Sequence, residues 1–175
     1  MSSACNGHHD KEEWTKEELA EMQAKWGADW QFTGIGTFAH LDYAKCLVDP
    51  SVSYDIAIVG ARFGPRAIRQ ASSRQTSTRG FNARAKINPY RNWAKIIDCG
   101  DIPITPFDNV IAREQMTQAL KELGSRRAVS ALSPRPRLLT LGGDHSLTLP
   151  ALRALNDIYG RPVRVLHFDG MFTFP

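Results

Sequence analysis

Only three cysteines, Cys5, Cys46 and Cys99, occur in the 175 residues, odd in number, far apart and in no CxxC pair. That spacing argues against a disulfide framework or a zinc finger and leads to the expectation of free thiols in a reducing compartment. No apolar run approaches the roughly 18–20 residues of a membrane helix, so no spanning segment and no membrane partner are expected. The opening stretch MSSACNGHHDKEEWTKEEL lacks the apolar core of a secretory leader, and a cytoplasmic location is expected. Charge of either sign is nearly balanced, with 22 Lys and Arg against 18 Asp and Glu, a formal +4. So small an excess makes no general case for nucleic acid. What is present is a globular composition, 42% hydrophobic and 9% aromatic, which excludes a disordered chain as a whole. The length suits one domain.

Residues 1–13 read as a flexible tail, in which the adjacent His8 and His9 have no framework of further ligands. Residues 14–175 then form the domain. Thr15-Lys16-Glu17-Glu18 fits a capping box, and Trp14 with Leu19 fits the accompanying hydrophobic staple. Leu19, Met22 and Trp26 share one face of the helix that follows, and Gly27 stops it. From Tyr54 the pattern changes. Asp55-Ile56-Ala57-Ile58-Val59-Gly60 reads as a buried parallel strand, and Gly64-Pro65 opens a helix through Arg69. Lys95–Asp98 is a second possible strand. Asp108 caps a helix that runs through Val110, Ala112, Met116, Ala119, Leu120 and Leu123 to Gly124. After the proline-broken connector SRRAVSALSPRPR, Leu138–Leu141 is a strand. A helix with Pro150 in its first turn then runs to Gly160, and Val163–Phe168 is a further strand. Strand, helix and strand in this order build a parallel sheet, so the fold class is α/β with helices on both faces.

Ligands of open α/β sheets bind outside the carboxyl ends of the strands. His145 follows the strand Leu138–Leu141, and Asp169 ends the strand Val163–Phe168. If these strands are neighbours, both side chains lie over one edge of the sheet. Gly142-Gly143 lets the backbone turn tightly enough to bring Asp144 and His145 there. A histidine with carboxylates suits a divalent metal such as manganese. The same residues also suit a plain turn with a hydrogen-bonded histidine, in which Asp144 orients a neighbour or caps the next helix.

Between Asp55 and Asp98 no acidic residue occurs, while Arg62, Arg66, Arg69, Arg74, Arg79, Arg84, Lys86, Arg91 and Lys95 recur with Phe81, Tyr90 and Trp93 interleaved. A nucleic-acid face would use such a mixture. The spacing keeps no single face, however, and the segment is rich in Ser, Thr, Asn and Gly. It reads as a long structured loop whose arginines pair with acidic groups elsewhere, with no nucleic-acid partner.

Several stretches in order resemble the ureohydrolases, the family of arginase and agmatinase. Gly142-Gly143-Asp144-His145-Ser146 is similar to the family's GGDHS motif, whose histidine binds manganese. Arg62-Phe63-Gly64-Pro65-Arg66-Ala67-Ile68-Arg69 resembles another family segment, and RGFNARAKINPYRNW and DCGDIP resemble the agmatinase branch. The resemblance runs from about Trp26 to Asp169. It implies a three-layer fold of a parallel sheet flanked by helices and hydrolysis of a guanidino compound, as in agmatine to urea and putrescine. It also implies two manganese ions sharing a bridging hydroxide, and a homo-oligomer. His145 and Asp169 are the metal-ligand positions that carry over, with Asp144 in support.

The departures are specific. After His167-Phe168-Asp169, Met171 and Thr173 stand where the family has a ligating histidine and a second ligating aspartate. A later SxDxDxxDP motif is absent, and Gly60-Ala61 runs directly into Arg62 where agmatinases carry about a dozen further residues. The expectation is an incomplete domain, a fragment or truncated product, inactive alone; the alternative is a non-catalytic partner of full-length subunits. The strand ending at Asp169 would have an unpaired edge, favouring poor solubility or assembly with another chain.

Overall fold

The computed structural model describes residues 15–26, 36–61, 64–76, 79–131 and 133–168. The chain divides into two units, Met1–Gly34 and Ile35–Pro175. In the first, helix α1 (Lys16–Trp26) starts directly after Thr15, where the capping pattern predicts it. Trp14, Gly27 and the side chains of Glu18, Leu19, Met22 and Trp26, which carry the predicted box, staple and stripe, lie outside the described residues, as does the 1–13 tail.

The second unit is built from β1 (Ile56–Gly60), α2 (Pro65–Ser72), β2 (Ile96–Asp101), α3 (Asn109–Ser125), β3 (Arg137–Leu141) and α4 (Thr148–Tyr159). The three strands form one parallel sheet in the order β2-β1-β3. β1 is central because its apolar run can be buried on both faces. Ala57 and Val59 join Ile97, Met116, Leu120, Leu123 and Ala154 in the larger core, under α3 and α4. Ile58 faces the other way, with Leu41 and Leu141. The chain moves from β1 to β2 on one side, then from β2 back past β1 to β3. Crossovers of one hand then place α2 and α3 on opposite faces, which gives three layers.

α3 and α4 each carry a local signal. The Asp108 carboxylate accepts from the N–H groups of Val110 at 2.7 Å and Ile111 at 3.0 Å, at the start of α3. Met116 and Leu123 are fully buried from that helix, each stabilising by about 1.5–3 kcal/mol relative to exposure. α4 ends at Gly160, whose φ of 60° is the left-handed stop.

Segment 36–49 lies along the open side of β2. The Ala44 N–H donates to the Asp98 carbonyl and the Asp98 N–H to the Asp42 carbonyl, at 3.1 and 2.9 Å. This alignment brings Cys46 to Cys99, and the two form a disulfide with a Cα–Cα distance of 5.2 Å. The expectation of free thiols is thereby corrected for this pair, and with it the inference from cysteines to a reducing compartment. They lie 53 positions apart in the sequence, so no spacing rule marks the pair; only the added edge on β2 does.

Two further expectations change. Val163–Phe168 does not form a strand: it carries no regular structure, with Leu166 81% and Phe168 87% exposed. A run apolar on both faces needs cover on both, and pairing with β3 alone does not offset the entropy of ordering it. The unpaired edge therefore belongs to β3. In the basic segment, Arg69 does pair with acidic groups. Arg66, Arg74, Arg79, Arg84 and Arg91 form no ion pair among the described residues.

Candidate functional site

Three strand ends and one helix start converge at the carboxyl edge of the sheet. The Ala61 N–H donates to the Leu141 carbonyl at 2.9 Å, and the Ile102 N–H donates to the Gly60 carbonyl at the same distance, so the strands stay knitted past their ends. Gly64, the residue before α2, has a φ of 120°, and a Cβ placed there would come within 2.8 Å of the Gly142 carbonyl oxygen. The start of α2 is thus pressed against the Gly142-Gly143 turn. Glycine is required on the α2 side for both conformation and space.

That turn delivers Asp144 and His145. Asp144 Oδ1 accepts from the Ser146 N–H at 2.8 Å and caps a single 3-10 turn, His145–Leu147, that leads into α4. The capping role open to Asp144 in the sequence is observed. His145 is exposed over the edge, and its ring lies 5.1 Å from the ring of His167, tilted by 34°. His167 is therefore a neighbour of His145 that the sequence reading did not assign to the site. The signal was its place two residues before Asp169, within the same broken motif. Asp169 lies outside the described residues.

Beneath the edge is a buried ion cluster. Asp98 is fully buried on the α2 face of β2 and accepts from Arg69 Nε at 2.8 Å and Nη2 at 2.9 Å, a two-pronged pair. It also accepts from the N–H groups of Phe38 and Gly100. Arg69 Nη1 reaches Asp101 at 2.5 Å. Burial works against the Arg69 charge, but the hydrogen bonds and charges of Asp98 and Asp101 outweigh it and raise its pKa. The sequence held the signal for this cluster: a charge inside the apolar strand Ile96-Ile97-Asp98-Cys99 must have a partner. Arg69 joins α2 to β2, and Asp101 lies directly against Gly60 and so helps fill the edge.

Two exposed imidazoles with a carboxylate engaged in capping are a sparse donor set. Among the described residues no three His, Cys, Asp or Glu side chains gather in a way that could hold a metal ion. A pair of manganese ions needs several oxygen and nitrogen ligands to each. The described residues do not supply them.

The arginase family profile matches residues 51–170. The chain is 45% identical over 163 residues to "Putative agmatinase 1" of Schizosaccharomyces pombe, covering 81% of this chain and 41% of that protein. Among solved structures it is similar to a hypothetical agmatinase from Burkholderia thailandensis, with a TM-score of 0.63 and 26% identity over 80% of this chain and 44% of the other. The proclavaminate amidino hydrolase of Streptomyces clavuligerus gives a TM-score of 0.53 at 30% identity, over 74% and 42% of the two chains. The parallel sheet with flanking helices is common to them. The chain thus spans about two fifths of the length of the relatives it matches.

Proposed function

The chain belongs to the arginase family, and from that membership we propose that it is part of an agmatinase-like domain that hydrolyses guanidino compounds, agmatine to putrescine and urea. The observation that carries this reading is the Gly142–Ser146 turn. It stands at the carboxyl edge of the sheet, backed by Gly64, and presents His145 there. We assign His145 and Asp169 to manganese in the complete domain, with Asp144 holding the turn that carries His145. Two ligands cannot cage two cations, so the chain alone is proposed to be without turnover.

The test is urea release from agmatine by the purified chain with added manganese, with metal content measured on the desalted protein. The expected result is no urea and no tightly held pair of ions. Metal-dependent urea release by the chain alone would overturn the reading of inactivity and call for further ligands beyond His145 and Asp169.

A second reading has its own support. The β3 edge is unpaired among the described residues, and Val165, Leu166 and Phe168 are exposed beside the same unit. These features suit a non-catalytic partner that assembles with complete subunits of a relative. Co-elution of the two chains from a sizing column would favour it, and separate elution would remove it.

A further inference from the structure

The opposite, amino edge of the sheet carries a chemistry that the guanidino reading does not use. β3 begins there at Arg137, and the chain leaving α4 returns there through Arg161 and Arg164. The three arginines line one hollow of about 600 Å³, together with Ser133 and Tyr159 and without any Asp or Glu in its wall. All three are exposed, and none has an ion pair among the described residues. Guanidinium groups stay charged at any ordinary pH, so the hollow concentrates three positive charges with no internal counter-charge.

Its walls are set in advance. Pro134 lies on one side and Pro162 on the other, each with its φ fixed by the ring. The Ser133 hydroxyl donates to the Arg135 carbonyl at 2.8 Å and accepts from the Arg135 N–H, which closes the turn before β3. Arg135 itself points elsewhere, with Nη1 on the Ser125 carbonyl at 3.0 Å. On the other wall, Gly160 makes the left-handed step that sends Arg161 back toward the sheet. The wall formed by the Ser133–Arg135 turn is ordered before binding, and that part of the site loses less entropy when it binds.

We propose that this hollow is a binding site for a compact polyanion with two or more adjacent oxyanion groups, of the pyrophosphate type. Planar guanidinium forks match oxyanions in pairs, and the volume falls in the ordinary range for small-ligand sites. The same three charges repel a cationic guanidino compound. The hollow also lies at the end of the sheet away from His145. It is therefore separate from the guanidino chemistry.

The experiment is calorimetric titration of the intact chain with inorganic pyrophosphate at fixed ionic strength. Saturable binding of one pyrophosphate per chain is expected, with inorganic phosphate weaker. Arg161→Gln with Arg164→Gln is expected to weaken binding by about ten-fold or more, and Arg84→Gln with Arg91→Gln to leave it unchanged. The charge-retaining Arg161→Lys with Arg164→Lys is expected to fall between, and a melting midpoint without ligand checks that each variant folds. Four results would overturn the proposal: equal heats from sodium chloride, equal affinity for phosphate and pyrophosphate, full affinity in the Arg161 and Arg164 glutamine variant, or equal loss in the Arg84 and Arg91 variant.

Discussion

At the scale of single residues, two carboxylates that share one guanidinium have unequal consequences. Asp98 is enclosed and holds Arg69 by two hydrogen bonds, whereas the Asp101 side chain is 57% exposed. Removing one partner of a buried pair leaves an uncompensated charge, so Asp98→Ala should destabilise by about 3–5 kcal/mol. Asp101→Ala should cost less than about 1 kcal/mol, because water screens and replaces that contact. Urea unfolding of both variants checks the ratio. Asp55 gives the pH counterpart. Burial alone would raise its pKa, but donors from the Lys95 N–H at 2.8 Å and the Ser130 N–H at 2.6 Å hold it below the ordinary carboxylate value. A lowered pKa in the folded state means a contribution complete above about pH 4 and lost as the pH falls through the folded value. Stability of the natural chain should therefore fall more steeply between pH 5 and pH 3 than that of Asp55→Asn, on the order of a difference visible in urea midpoints.

At the scale of elements, legibility followed burial. The runs at Ile56–Gly60 and Leu138–Leu141, the Asp108 cap and the Gly160 stop carry their own physical signals, and each became the element they indicate. Val163–Phe168 carries a strand signal interrupted by Arg164 and His167 and stays irregular, because such a run specifies a strand only where layers exist to cover it. The site divides in the same way. His145 and Asp144 were readable from a glycine turn after a strand. The His145–His167 approach and the Cys46–Cys99 pairing arise from distant segments, and no local period encodes them. The contact between the start of α2 and the Gly142 turn tests how much the edge depends on shape. Gly64→Ala combines backbone strain at a φ of 120° with a 2.8 Å approach to a carbonyl, and should destabilise by about 1–3 kcal/mol. In the same variant the His145 imidazole resonances should shift, while those of His40, held by the Ser73 carbonyl, should not.

At the scale of the whole molecule, the described residues of the larger unit form a three-stranded sheet with one covalent tie and one open side. The tie closes a long loop that contains β1, α2 and the basic segment, all between Cys46 and Cys99. Reduction should lower stability by about 2–4 kcal/mol, seen as a lower thermal midpoint in excess thiol, with Cys46→Ser matching the reduced protein. The loop has another consequence. Arg79, Arg84, Lys86 and Arg91 are exposed inside it, on a stretch of turns that suits a trypsin-like protease. A cut at any one of them severs the polypeptide but does not release a piece. Nicked and intact molecules would then run as one band on a denaturing gel without reductant, and only added thiol would reveal two.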